Sequence, residues 1–231
     1  MSRLHDEVND WVSFGNSGID LTGDRTIGLW ARPTSGTNSQ RVMQARQSTS
    51  AAHSVQIAWD LGGAGEVFSC SAFNDGTGLI KDGNASINQW HFVAGVGSNI
   101  GVSGVVDFIF IDGEASTTAH TGGTATGSNT DEIRVGSRTD GGADYGGLTA
   151  HVFFFNVKLS IGQLKQLMKY PGSIRNSSLI LYAPLFGTSS VEPDYSGRGN
   201  HGTLSGTTKG TTEPPINNVF IIPQPQLTGA F

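Results

Sequence analysis

Residues 194–203 read Asp-Tyr-Ser-Gly-Arg-Gly-Asn-His-Gly-Thr. Within them Gly197, Gly199 and Gly202 match the G-x-G-x-x-G spacing with which dinucleotide-binding folds cradle a pyrophosphate. That use requires a buried strand just before the glycines and a helix just after them. The choice between an α/β and an all-β fold therefore turns on the segments that flank the loop. Upstream, Leu179–Ala183 is strand-like, but Pro184, Gly187 and Pro193 separate it from the glycines. Downstream, Thr203–Gly210 carries no helical apolar period and holds further glycines at 206 and 210. No helix starts there and no βαβ unit surrounds the loop, so nucleotide use is set aside. The glycines need another explanation.

Composition points the same way. The chain has 231 residues, of which 33 are glycine, and only 14% are charged. That mixture suits short strands joined by tight turns, and an all-β sandwich of this length is ordinary. The net charge of −5, with no Lys/Arg cluster to offset it, argues against nucleic acid and anionic membranes as partners. Cys70 is the single cysteine, so an internal disulfide framework is excluded, and its strand-like setting makes it a packing residue. The N-terminus is polar and acidic and has no apolar stretch of the signal-peptide kind, and no apolar run reaches membrane-spanning length. The expected location is cytoplasmic, or a virion surface if the protein is viral.

Strand-like segments recur with turn signals between them: 11–14, 26–31, 41–45, 54–60, 66–73, 89–96, 105–112, 132–136 and 148–157. Alternation is clearest in Val105–Asp112. It places Val105, Asp107, Ile109 and Ile111 on one face and Val106, Phe108, Phe110 and Asp112 on the other, both mainly apolar, as in a strand covered on two sides. Asp112-Gly113 is a tight-turn signal. One helix is predicted over about 160–170. Ser160 and Gln163 form a capping box, Leu164, Leu167 and Met168 share a face, and Tyr170-Pro171-Gly172 ends the run. Beside a sandwich such a helix reads first as a plug over the open end. Residues 214–231 hold Pro214, Pro215, Pro223 and Pro225 around Val219, Phe220, Ile221 and Ile222, followed by Leu227 and Phe231. Proline cannot donate to a ladder, so this is an extended arm, docked on its own domain or on a neighbouring subunit.

A search for chemistry finds little. Glycoside hydrolysis needs two converging carboxylates, and the six glutamates are scattered. There is no G-x-S-x-G elbow, and His5, His53, His91, His120, His151 and His201 show no zinc-binding spacing. His91 and His151 read as hydrogen-bonded packing residues. Calcium takes oxygen ligands on glycine-rich loops. Asp194 and Asn200 are its candidate ligands, with Asp140 and Asp144 as a second set, against the alternative that these residues make turns.

Five segments, in order, resemble the laminin-G-like jelly rolls of the concanavalin A-like lectin/glucanase superfamily: Thr26–Pro33, Gln89–Ala94, Phe110–Gly113, Ile133–Ser137, and Gly147–Ser160 leading into the helix. The 194–203 loop resembles a further family element, D-x-S-G-x-G-N-x-G-T, which usually precedes the jelly roll and here follows it. The resemblance implies an all-β, two-sheet antiparallel jelly-roll sandwich with one short helix and an extended C-terminal arm. It also implies one domain over 1–212, with core motifs at 10–170 and a trailing segment at 179–208, followed by the arm at 213–231. In relatives the loop contributes to a calcium site together with acidic residues near the closing strand, where this chain has Ala150 and His151.

The superfamily holds glucanases, lectins and structural modules, and fold does not choose among them. The expectation is a non-enzymatic structural or display protein on a phage-like particle, assembling with other protein subunits through its arm and sheet edges. A carbohydrate-binding lectin module, with Tyr145, Tyr195 or Trp11 stacking on sugar rings, is the alternative. A glycoside hydrolase with an unrecognised acid pair is the remote one. No organic cofactor is expected, and calcium is the one candidate ion.

Overall fold

The structure is a computed structural model that describes residues 2–14, 19–20, 23–35, 40–46, 53–59, 67–71, 80–82, 85–100, 105–116, 129–130, 132–138, 143–186 and 191–217. The elements in chain order are β1 (Arg3–Asp6), β2 (Trp11–Phe14), β3 (Ile19–Asp20), β4 (Gly23–Pro33), β5 (Gln40–Arg46), β6 (His53–Trp59), β7 (Phe68–Ser71), β8 (Ile80–Asp82), β9 (His91–Ile100), β10 (Val105–Ile111), β11 (Glu114–Ala115), β12 (Asn129–Thr130), β13 (Glu132–Val135), β14 (Gly146–Phe155), α1 (Ile161–Lys169), β15 (Leu179–Ala183), β16 (Val191–Glu192), β17 (Gly202–Ser205) and β18 (Thr208–Lys209).

Two antiparallel sheets form the sandwich. The first runs β11-β10-β9-β4-β14-β1-β18, with β15 also paired to β14, and the second runs β16-β17-β2-β13-β5-β6-β7-β8. Strands β3 and β12 make a separate two-stranded pair. Between the sheets lies one core, including Phe14, Ile27, Leu29, Trp59, Phe68, Val93 and Phe154. A second core covers the other face of the first sheet, where Phe92, Phe110, Phe153 and Phe155 meet Leu164 and Leu167 of α1. The helix is therefore a third layer on a sheet face, not a plug over the open end. Its apolar stripe finds partners there because β9, β10 and β14 turn large side chains outward as well as inward. Strand β14 is buried at every position.

The capping box forms as the sequence predicts: the Ser160 hydroxyl accepts from the Gln163 N–H, and the Gln163 side chain accepts from the Ser160 N–H. Thr26 fixes the entry to α1, donating its hydroxyl to the Val157 carbonyl and accepting from the Leu159 N–H. Strand β10 departs from simple alternation. Its pairing with β9 shifts between Val106 and Phe108, the mark of a bulge. The extra residue reverses the phase, so Val106 joins Ile109 and Ile111 in the inter-sheet core, while Phe108 and Phe110 face the helix layer. A second bulge lies in β14, where pairing with β4 is interrupted between Ala150 and Phe153 and His151 has a φ of 51°. At that point the other edge of β14 passes from β1, paired to 146–149, to β15, paired to 152–155.

Candidate functional site

The 194–203 loop is built around a carboxylate. Asp194 is 8% exposed. Its Oδ1 accepts from the Tyr182 and Ser196 N–H groups, and its Oδ2 from the Asn200 N–H and the Ser196 hydroxyl. The Asn200 amide donates to the Ile180 carbonyl at 2.9 Å. Four donors occupy the two carboxylate oxygens, so Asp194 is a turn-forming staple and not a calcium ligand in this arrangement; Asn200 serves the same turn. Gly197 and Gly199 have φ of 86° and 76°, the left-handed region that glycine tolerates. The chain after them enters strand β17, not a helix, so no pyrophosphate site exists there. Asp144 accepts from the Asn9 N–H, and Asp140 lies outside the described residues. Among the described residues no group of three or more His, Cys, Asp or Glu side chains is placed to hold a metal ion.

The three aromatic residues singled out in the sequence do not converge. Tyr145 is fully buried in the inter-sheet core, and burial pushes its phenol well above the ordinary range, so it has no face for a ligand. Tyr195 is half-buried, packs against the helix-side core and meets Phe186 edge-on at 6.2 Å. Trp11 is half-buried, with the Arg134 guanidinium 4.4 Å over its ring. Val219, Phe220, Ile221, Ile222, Leu227 and Phe231 of the arm lie outside the described residues. The residues before them run along the body. Pro214 is buried, Ile216 packs on the helix-side core, and the Asn217 N–H donates to the Lys169 carbonyl at 3.0 Å.

A different set of residues does converge. A cavity of about 500 Å³ is lined by Trp30, Trp90, Asp112, Met168, Lys169, Tyr170, Pro215 and Asn217. A second, of about 490 Å³, shares Asp112, Met168, Lys169 and Tyr170 and continues past Gly113, Glu114, Lys165 and Gln166. Together they form one groove between the last turns of α1, the β10–β11 turn and residues 215–217. Tyr170 is 40% exposed. Trp30 is 4% exposed and meets Phe92 edge-on at 5.6 Å.

The Asp112-Gly113 turn has positive φ at both positions, 51° and 107°, as a two-residue hairpin of the mirror-image type requires. This sets Asp112 at the rim. Its Oδ1 accepts from the Phe92 N–H at 2.8 Å and its Oδ2 from His91 Nδ1 at 2.6 Å. His91 Nε2 lies 3.0 Å from the Ser86 carbonyl. Burial disfavours the His91 imidazolium, but the hydrogen bonds to Asp112 and Ser86 and the Asp112 charge outweigh it, and the pKa rises above its ordinary value. Asp112 is thereby an oriented acceptor on a rigid turn. His151 is also a hydrogen-bonded packing residue, its Nδ1 3.0 Å from the Tyr182 hydroxyl.

The groove was not visible in the sequence as a site. Trp30, Trp90 and Asp112 sit inside the segments that identify the fold, where large aromatics and a turn aspartate already have structural work. Tyr170 closes a helix. No single-chain signal marks five separate segments as neighbours.

A sandwich of this topology with a covering helix defines a lectin-like class of β protein. The chain belongs to the Laminin_G_3 family of the concanavalin A-like lectin/glucanases superfamily, whose family model matches residues 6–165. No protein of curated function matches the sequence. Among solved structures, the chain is similar to a proposed carbohydrate-binding protein from Bacteroides ovatus. They share 18% identity and a TM-score of 0.66, over 94% of this chain and 62% of that one. It is also similar to the heptameric SAP-like pentraxin of Limulus polyphemus, with 12% identity and a TM-score of 0.60, over 89% of this chain and 95% of that one. The chain thus spans less than two thirds of the Bacteroides protein. At these identities the likeness is one of fold.

Proposed function

We propose that the chain is a non-catalytic carbohydrate-binding module whose ligand lies in the groove along α1. The observation that carries this is the groove's make-up. Aromatic side chains of Trp90 and Tyr170 stand beside Asp112, a carboxylate held in one orientation, and the polar Asn217 and Gln166. Sugar rings offer an apolar face for stacking and a rim of hydroxyls for such acceptors and donors. Lectins of the same superfamily and the description of the Bacteroides protein support the reading. Display on a particle surface, of the phage-like kind, is a role such a module would fill, with the arm from Val219 onward as its attachment; its location would then be the virion. No observation among the described residues favours that role on its own.

A glycan array with the full chain tests the proposal. Binding to at least one glycan is expected, and Tyr170→Ala is expected to abolish it with little change in thermal stability. Array-wide silence, or binding that survives both Tyr170→Ala and Trp90→Ala, would sink it. Reducing-sugar release that disappears in Asp112→Asn or Glu114→Gln would replace it with a hydrolase.

A further inference from the structure

His91 joins the Asp112 turn to the segment that leads through Trp90 into β9, and both ends of its buried ring are held. Nδ1 lies 2.6 Å from Asp112 Oδ2. Nε2 is within reach of two groups of a single residue: the Ser86 N–H donates to it at 3.1 Å, and the Ser86 carbonyl is 3.0 Å away. These two contacts exclude each other. A neutral ring with its proton on Nδ1 donates to Asp112 and accepts the Ser86 N–H at Nε2. A protonated ring donates from both nitrogens, so Nε2 turns to the carbonyl and the Ser86 N–H loses its acceptor. Asp112 is the charged group that acts on the ring. From the other elements around it, β7 offers the Phe68 ring edge-on at 5.8 Å, and the Arg32 guanidinium of β4 donates to the Asn88 carbonyl at 3.0 Å. Glu114, Lys165, Lys169 and Tyr170 line the groove beside Asp112.

The Asp112 side chain is 41% exposed, and each of its oxygens takes one donor from the protein, the Phe92 N–H on Oδ1 and His91 on Oδ2. A carboxylate oxygen accepts two hydrogen bonds, so each keeps a place for a hydroxyl from the groove. We infer that His91 is a positioning residue through which proton uptake weakens glycan binding: the neutral ring leaves the full Asp112 charge to a sugar's hydroxyls, and the protonated ring neutralises it. This rests on the groove being the glycan site, and it adds that site's regulation. Hydrogen bonds to an ionised acceptor are stronger than neutral ones, and a cation sharing the acceptor removes part of that gain. Burial disfavours the His91 cation, yet its hydrogen bonds and the Asp112 charge lift its pKa above the ordinary 6.5, so the change in affinity falls above that pH. By reciprocity, a bound glycan drives the proton off.

The test is calorimetric titration of the full chain from pH 6 to 9 with cellohexaose, laminarihexaose and mannohexaose, neutral probes that do not themselves titrate in this range. The affinity of whichever binds should rise up to about fivefold with pH, and His91→Gln, which cannot titrate, should flatten the profile. Independently of any variant, binding near the midpoint should release a fraction of a proton, read from buffers of different ionisation enthalpy. In the ligand-free protein the Ser86 amide resonance should titrate together with the His91 ring. A flat profile in the unaltered protein, or tighter binding at low pH, would overturn the inference while leaving the groove as the glycan site. So would a slope that persists in His91→Gln, or a Ser86 amide that stays fixed while His91 titrates. No binding to any probe, together with silence on the array, would remove both.

Discussion

The carboxylate of Asp194 receives three backbone N–H groups and a hydroxyl, which ties the loop before β17 to Tyr182 of β15. Removing it strands buried donors, each costing about 1–3 kcal/mol. Asp194→Ala should lower the unfolding free energy by about 3 kcal/mol in urea denaturation. Millimolar calcium should leave the melting temperature of the unaltered protein in place; a rise in the unaltered protein but not in Asp194→Ala would restore the calcium expectation. Histidines give the pH response. His5 is buried, donates from Nδ1 to the Asp10 carbonyl and accepts at Nε2 from Thr149. Burial, the largest cause, lowers its pKa to about 4, and burial likewise lowers that of His151 to about 3. Both fold as neutral bases, while the unfolded chain protonates them near pH 6.5. Stability should therefore fall as pH drops from about 6.5 toward 4, with His151 extending the loss toward 3. His91 has the opposite sign. Its raised pKa contributes stability below pH 6.5 that is lost as pH climbs through the higher folded value. Melts across pH should show the acid loss shrink in His5→Gln, and the alkaline drift shrink in His91→Gln.

At the scale of elements, α1 owes little to its own length and much to the face it covers. Nine residues are marginal as an isolated helix. Leu164 and Leu167 are buried against β9, β10 and β14. Leu164→Ala should cost about 3 kcal/mol and Ser160→Ala about 1 kcal/mol by chemical denaturation; equal effects would mean that the cap, not the packing, holds the helix. The cap, stripe and stop of α1 were legible in the sequence because each is a local spacing, and the strands at 11–14, 41–45 and 132–136 were legible from period and turn chemistry in the same way. Where α1 docks was not, since a stripe of leucines says only that some surface is apolar. The β10 phase failed for a related reason. A one-residue bulge needs no sequence marker, yet it exchanges the two faces of everything before it. The groove was hidden further still. Its walls come from β4, the residue before β9, the β10–β11 turn, α1 and residues 215–217, and each contributing residue has a sufficient local explanation.

At the scale of the whole molecule, the chain closes on itself. The family match ends at residue 165, but the strands after it complete both sheets: β15 pairs β14, β17 pairs β2 and β18 pairs β1. Across the two sheets Arg3 Nε and Glu192 Oε1 form an ion pair at 2.5 Å, with side chains 5% and 0% exposed. Breaking it leaves a charge buried, so Glu192→Gln should destabilise by about 3–5 kcal/mol in equilibrium unfolding. A change below about 1 kcal/mol would mean that the closure rests on the ladders instead.

The same closure decides how the arm bears on the groove, because residues 214–217 are its last wall and are held by the Asn217–Lys169 hydrogen bond and by Ile216. Two truncations separate this wall from residues 218–231. A chain ending at Asn217 keeps Pro215 and Asn217, and should melt and bind glycan as the full chain does. A chain ending at Glu213 loses both, together with the Ile216 contact. It should remain folded, because the sheets are complete by Lys209, but melt a few degrees lower and lose most of its glycan affinity. Sedimentation of the same three proteins reads out assembly independently. If the chain ending at Asn217 binds normally but no longer forms an oligomer that the full chain forms, residues 218–231 serve attachment and residues 214–217 serve recognition. If the chain ending at Glu213 binds as well as the full chain, the groove's third wall is dispensable, and the ligand must sit between α1 and the Asp112 turn alone.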